Sequence, residues 1–136
     1  MHKMKNWIID LDSTIAQYNR KDVEKHGLHH IGDPIPGAVE FVNTLAQSGK
    51  IIIYTVRMNY DECNLDTVEK QWNLYQTIAN WLNKHGFKWT EIYRGQGKPD
   101  GTAFIDDRGV QCRPQENANA YIEALDYINN VILQGK

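Results

Sequence analysis

The stretch that decides the fold is NWIIDLDST, at residues 6–14. It begins with a short, mainly apolar run that ends abruptly at Asp10. Apolar strands without alternating polar residues are typical of parallel sheets, in which both faces of the sheet are covered. A second carboxylate, Asp12, follows two residues later. The stretch therefore predicts a buried first strand with two carboxylates at its carboxyl end.

Strands and helices alternate along the rest of the chain. The predicted strands are residues 6–10, 51–55, 89–93, 102–105 and 110–112, and the predicted helices are residues 36–49, 66–86 and about 117–133. A capping box, Asp66 with Glu69 three residues later, marks the start of the second helix. Residues 15–36 are polar and rich in breakers, which indicates a loop with a turn of helix or a small hairpin.

This alternation predicts an α/β fold, a doubly wound and Rossmann-like parallel sheet with helices on both faces. The 136 residues match one domain, residues 1–136, because domains commonly have about 100–150 residues. A separate second domain is nearly excluded.

Composition excludes several function classes. Fifteen Lys and Arg against 17 Asp and Glu give a net charge of −2, so there is no bulk electrostatic reason to bind nucleic acid or an anionic membrane. Apolar runs fall far short of the roughly 18 residues that cross a bilayer, so no membrane partner is expected. Cys63 and Cys112 form no C-x-x-C pattern, which favours reduced thiols and a cytoplasmic location.

Polar residues cluster where the predicted strands end, which is where ligands bind in parallel α/β sheets. They are Asp10 and Asp12, Thr55 and Arg57, and Asp106, Asp107 and Arg108, with Lys98 in the preceding loop. Four carboxylates at one edge repel one another unless a hard cation holds them. Carboxylate oxygens without neighbouring Cys or His favour Mg²⁺ over zinc, and such a site is usually completed by phosphate.

These residues resemble the haloacid-dehalogenase-type (HAD) phosphohydrolases, and in particular a small branch without a cap domain. The four motifs of that family occur in family order between about residues 6 and 113, as D-x-D-x-T at residues 10–14, Thr55 after an apolar strand, Lys98, and Asp106 with Asp107. Ser13 stands where most members have glycine, so the turn after Asp12 has to accommodate a Cβ atom.

The resemblance implies a HAD core fold and a phosphatase mechanism. Asp10 is expected to attack phosphorus and form an aspartyl-phosphate, and Asp12 to act as general acid and then general base. Thr55 and Lys98 are expected to hold the phosphoryl oxygens.

The resemblance also implies a magnesium site and a substrate surface. The expected ligands of Mg²⁺ are Asp10, the backbone carbonyl of Asp12, and Asp106, with Asp107 as a direct or indirect partner. Three residues are assigned to substrate contact: Leu11, Arg57 and Arg108. Surface ion pairing is the alternative for the two arginines.

Substrate class is left open. Because neither residues 13–50 nor residues 56–97 have room for a cap of roughly 50 residues, an open site is expected. It suits a bulky phosphorylated substrate, such as a nucleotide or nucleic-acid end, or a site covered by a second copy of the chain. Sugar phosphates are the competing class. A noncatalytic phosphate- or metal-binding module is the other alternative, against which the motif order argues.

Overall fold

Five strands form the centre of the protein, for which a computed structural model describes residues 5–58, 65–94, 101, 103–106 and 110–133, with the Asp106 side chain excluded. The strands are β1 (Lys5–Asp10), β2 (Gly49–Tyr54), β3 (Glu91–Ile92), β4 (Ala103–Asp106) and β5 (Val110–Gln111). They form one sheet in the order β3-β2-β1-β4-β5, and all four pairings are parallel. The predicted α/β fold with a Rossmann-like parallel sheet is confirmed.

Four α-helices accompany the sheet: α1 (Arg20–His26), α2 (Ala38–Leu45), α3 (Val68–Lys84) and α4 (Ala120–Tyr127), the last continuing as a π-helical turn, Ile128–Ile132. Helices α2, α3 and α4 lie in the three predicted segments. α2 ends before Gly49, which instead begins β2, where an added Cβ would lie 2.3 Å from the Lys5 carbonyl oxygen. The segment predicted as a loop contains both α1 and an antiparallel bridge between Ala16 and Pro34.

The start of α3 differs from the predicted capping box. Thr67, not Asp66, is the N-cap, and its hydroxyl accepts a hydrogen bond from the Lys70 backbone N–H at 3.1 Å. Asp66 instead pairs with the Lys70 side chain at 2.9 Å, and this contact lowers the pKa of the Asp66 carboxyl. None of the described helices combines the length and the apolar character needed to cross a bilayer.

One apolar cluster holds the helices to the sheet. It contains alternate residues of β1 and β2 together with side chains from α2, α3 and α4, and its members include Trp7, Ile9, Ile51, Ile53, Phe41, Leu74, Ile78 and Tyr121. The helical and strand positions of Trp72, Trp81, Trp89 and Tyr121 predict core residues. Trp81 and Tyr121 are buried and Trp89 is partly buried. For Trp72 this expectation is wrong, because its side chain is 50% exposed and stacks on Tyr75 along the outside of α3.

Strand order determines where a ligand can reach the sheet. The chain runs outward from β1 through β2 to β3 and then returns to β4 on the opposite side of β1. Ligands in open α/β sheets bind in the crevice at such a reversal, outside the carboxyl ends of the two strands. Here these ends are Asp10 of β1 and Asp106 of β4.

Candidate active site

The carboxyl ends of β1, β2 and β4 lie at one edge of the sheet, and Asp10, Asp12, Thr55 and Arg57 lie at or just after these ends. Ile9 of β1 is paired with Ile53 of β2 and with Ile105 of β4. The next residue of β1 is Asp10, and the next residue of β4 is Asp106. Parallel pairing therefore places these two residues side by side along the backbone.

A single tight turn carries Asp12 past the end of β1. The Leu11 carbonyl accepts hydrogen bonds from the backbone N–H groups of Ile15 and Ala16, at 3.1 and 2.9 Å. The Ser13 N–H donates to the Ala16 carbonyl at 2.8 Å. These backbone bonds hold the turn without using the carboxylate of Asp12, which stays available for other contacts.

Ser13 adopts a left-handed backbone conformation, with φ of 66°. This conformation costs an L-residue roughly 1–2 kcal/mol and costs glycine little. The Cβ atom noted in the sequence is thus accommodated with backbone strain.

We expect Ser13→Gly to raise the free energy of unfolding by about 1 kcal/mol. Ser13→Val should lower it, because a β-branched residue fits this conformation poorly. Chemical denaturation of the three proteins measures both changes. A less stable Ser13→Gly variant would show that the serine side chain contributes more than the strain costs.

Tyr121 of α4 holds the same turn through a hydrogen bond. Its hydroxyl donates a hydrogen bond of 2.6 Å to the carbonyl of Thr14, and both residues are buried. Burial raises the pKa of Tyr121, so the hydroxyl keeps its proton and remains a donor. The sequence offered no signal for this contact, because the two residues are 107 positions apart.

Arg57 binds the carboxylate of Asp12. Its Nε donates to Asp12 Oδ2 at 2.8 Å and its Nη2 donates to Oδ1 at 2.9 Å, which makes a two-pronged ion pair. The side chain of Arg57 is 4% exposed and that of Asp12 is 15% exposed. Neither sequence-based assignment for Arg57, substrate contact or a surface ion pair, describes this buried pair with Asp12. Sequence reasoning did not find the pair.

Thr55 lies directly between the end of β2 and Arg57. Its side chain is almost fully buried, and its hydroxyl oxygen accepts the Arg57 backbone N–H at 3.2 Å. The Thr55 carbonyl accepts the N–H of Met58 at 3.1 Å. The short 3-10 turn Val56–Met58 therefore fixes Thr55, and a hydroxyl that accepts here has its proton to donate elsewhere.

Residues 16–35 form an excursion from the turn that ends where the chain enters α2. The Gln17 N–H donates to the Asp33 carbonyl at 2.8 Å, and the Ile35 N–H donates to the Ile15 carbonyl at 2.9 Å, so the two ends are joined. The Trp81 indole N–H donates to the Gly32 carbonyl at 3.0 Å and ties the excursion to α3. A polar cleft of about 430 Å³ lies against it and is lined in part by His30, Asp33 and Arg57.

Leu11, assigned to substrate contact, occupies a core position. Its side chain has no exposed surface, and its backbone N–H donates to the Tyr54 carbonyl at 3.1 Å. The buried side chain does not reach a surface on which a substrate would lie, because it points into the apolar cluster below the turn.

Four predicted contributions lie outside the described residues: Lys98, Asp107, Arg108 and the side chain of Asp106. Within the described part of the chain, no group of three or more His, Cys, Asp or Glu side chains could hold a metal ion. Because Arg57 occupies the carboxylate of Asp12, the backbone carbonyl is the oxygen that Asp12 has left for a cation, as expected from the sequence; the magnesium site itself stays a prediction.

Cys112 lies beside the turn, lining a cleft with Ser13 and Arg113. Its side chain is buried, and burial raises the pKa of the thiol to about 12. A protonated thiol is neither a nucleophile nor a metal ligand at neutral pH. Cys112 is therefore a core residue.

Two solved structures are similar to this chain. A crystal structure of an MCSG target from Vibrio cholerae is 26% identical, covers 90% of this chain and 98% of its own, and has a TM-score of 0.50. A crystal structure of D,D-heptose 1.7-bisphosphate phosphatase from B. bronchiseptica, complexed with magnesium and phosphate, is 17% identical over 71% of this chain and 52% of its own, with a TM-score of 0.45. No family model matches the chain, and neither does any curated protein.

Proposed function

We propose that the protein is a magnesium-dependent phosphatase that hydrolyses phosphomonoesters through an aspartyl-phosphate on Asp10. The observation that carries this proposal is the placement of Asp10 at the strand-order reversal, with Asp12 two residues beyond it and held by Arg57. The order of the HAD-like motifs in the sequence supports the same assignment.

The first half-reaction uses both carboxylates. A carboxylate oxygen of Asp10 forms a bond to phosphorus while the bond from phosphorus to the ester oxygen breaks. Protonated Asp12 gives its proton to the leaving oxygen and becomes the carboxylate that the structure shows paired with Arg57. The alcohol departs and Asp10 carries the phosphoryl group.

The second half-reaction regenerates the enzyme. Asp12, now a carboxylate, takes a proton from water as the water oxygen attacks phosphorus. The bond between phosphorus and Asp10 breaks, and inorganic phosphate leaves. Thr55 has a hydroxyl proton to donate to a phosphoryl oxygen, where negative charge is concentrated.

Magnesium would be held by Asp10, the backbone carbonyl of Asp12, and Asp106, with Lys98 and Asp107 completing the predicted edge. Bound there, the ion would neutralise charge on the phosphoryl oxygens and relieve the repulsion between phosphate and carboxylates. Thr55 and the turn at residues 11–16 are positioned by their own hydrogen bonds.

Access to the edge suits several substrate classes. The excursion, residues 16–35, is the longest described segment that belongs neither to the sheet nor to the helices that connect its strands. Its only helix is the seven-residue α1. Such a segment is far smaller than a cap domain of roughly 50 residues. We therefore propose an open site for a bulky phosphate ester, with nucleotide or nucleic-acid ends and sugar phosphates as the classes to compare.

The direct test is phosphate release from 4-nitrophenyl phosphate with and without Mg²⁺. We expect turnover with Mg²⁺. Chelation with EDTA should lower the rate of phosphate release at least about 100-fold, and added Mg²⁺ should restore it. Sugar phosphates, mononucleotides and 5′- or 3′-phosphorylated oligonucleotides then define the substrate class. Stoichiometric phosphorylation of the protein without turnover would instead indicate a regulatory module, and activity indifferent to Mg²⁺ would contradict the proposal.

A further inference from the structure

Arg57 is a buried cation that, within the described part of the chain, bonds to Asp12 and to the excursion. Its guanidinium makes four hydrogen bonds: two to the carboxylate of Asp12, one to the carbonyl of Leu28 and one to the carbonyl of His30. The last measures 2.7 Å. The planar fork of arginine is thereby held on two sides, and its orientation is determined by the protein.

The charges of Arg57 and Asp12 balance each other. A buried guanidinium without a counterion is strongly unfavourable, whereas a well-aligned two-pronged pair offsets much of the cost of removing both groups from water. Leu28 and His30 contribute only neutral carbonyl oxygens. Among the described residues, the carboxylate of Asp12 is thus the counterion of Arg57.

The contacts with Leu28 and His30 anchor Arg57 to the excursion. This part of the excursion is also tied to α3, through the contact between His29 Nδ1 and Thr77 Oγ1 at 2.6 Å and through the bond from Trp81 to Gly32. Arg57 therefore connects Asp12 to a segment that is itself held by two contacts with α3.

We propose that Arg57 is the positioning residue for Asp12. It holds the carboxylate in one orientation and links that orientation to the excursion at Leu28 and His30. This inference rests on the proposed function, because it assigns to Arg57 a role exerted through the acid and base of the reaction. In this role Arg57 acts through Asp12 and not by binding the phosphoryl group.

The test uses the dependence of kcat/KM on the leaving group. Proton donation by Asp12 matters most for an alkyl phosphate, whose alkoxide is a poor leaving group, and least for 4-nitrophenyl phosphate. We expect Arg57→Met to lower kcat/KM for the alkyl phosphate about 10- to 100-fold more than for the aryl phosphate. Arg57→Lys should fall between Arg57→Met and the wild type, because it keeps the charge and loses the two-pronged geometry.

Non-additivity separates positioning from a general structural effect. In an Asp12→Asn background, Arg57→Met should cause little further loss for the alkyl phosphate, since the group that it positions has already been removed. Arg20→Met is the matched control: Arg20 also pairs with a carboxylate, Glu24 at 3.0 Å, but on the exposed side of α1. Arg20→Met should leave kcat/KM unchanged for both the alkyl and the aryl phosphate.

Two results would overturn the inference. Equal losses for both substrates in Arg57→Met, additive with Asp12→Asn, would mean that Arg57 acts on the phosphoryl group or on the fold. If Arg57→Met does not fold, equal losses in Arg57→Lys would have the same meaning. If the wild-type protein hydrolyses neither ester, the proposed phosphatase function is wrong, and this outcome is distinguishable from a failure of the Arg57 inference alone.

Discussion

Asp10→Asn is expected to lower phosphatase kcat by about 10⁴-fold or more, because the amide replaces the nucleophile on which the reaction is proposed to depend. The substitution keeps the size of the side chain at the carboxyl end of β1. Steady-state turnover of 4-nitrophenyl phosphate measures the effect. Thermal unfolding, recorded in parallel, shows whether the variant retains its fold.

Trapping of the intermediate makes this prediction specific to Asp10. Wild-type protein quenched with acid during turnover should carry phosphate on a peptide that contains residue 10, and hydroxylamine should release it, as it does acyl phosphates. Asp126→Asn, a change of the same kind on the exposed side of α4, should behave as wild type. Full activity in Asp10→Asn would place the nucleophile elsewhere.

Asp12→Asn is expected to affect the two half-reactions to different extents, depending on the leaving group. For an alkyl phosphate, kcat/KM should fall about 10²- to 10⁴-fold, because the leaving oxygen no longer receives a proton. For 4-nitrophenyl phosphate the first step should be affected about tenfold or less. Hydrolysis of the aspartyl-phosphate still needs a base, so a burst of nitrophenolate near one equivalent should precede slow turnover.

Rapid-mixing measurements of nitrophenolate release test this expectation. Asp66→Asn is the matched control, because Asp66 is also an ion-paired carboxylate, but on the surface and bonded to Lys70. It should show wild-type kinetics. Equal losses for both esters without a burst would be incompatible with a general acid and base at Asp12. Because the variant leaves Arg57 without its counterion, we also expect a lower unfolding temperature.

The outline of this protein was predictable from local sequence. Short apolar runs such as residues 51–55 predict buried strands, and their alternation with helical segments predicts a parallel sheet. In such a sheet all strands point the same way, so residues at the ends of separate strands meet at one edge. Strand direction alone therefore predicts that Asp10, Asp12 and Thr55 lie at the same edge of the sheet.

The direction of individual side chains was not predictable in this way. Arg57 follows the second motif, a position that predicts substrate contact or a surface ion pair. Its guanidinium instead turns inward, because Asp12 and two carbonyl groups of the excursion accept its hydrogen bonds there. Leu11 separates the two aspartates and was expected beside them, yet it lies in the core. Strand alternation carries its side chain to the side opposite to that of Asp10.

Sequence alone therefore determined the fold class, the edge of the sheet that carries the carboxylates, and the residue types available there. These follow from strand length, hydrophobicity and chain direction, which are local properties. Only the tertiary structure decided the strand order, the contact of Tyr121 with Thr14, and the pairing of Arg57 with Asp12. Such contacts join residues 45 to 107 positions apart, and they form because buried donors and charges require partners wherever the packed chain provides them.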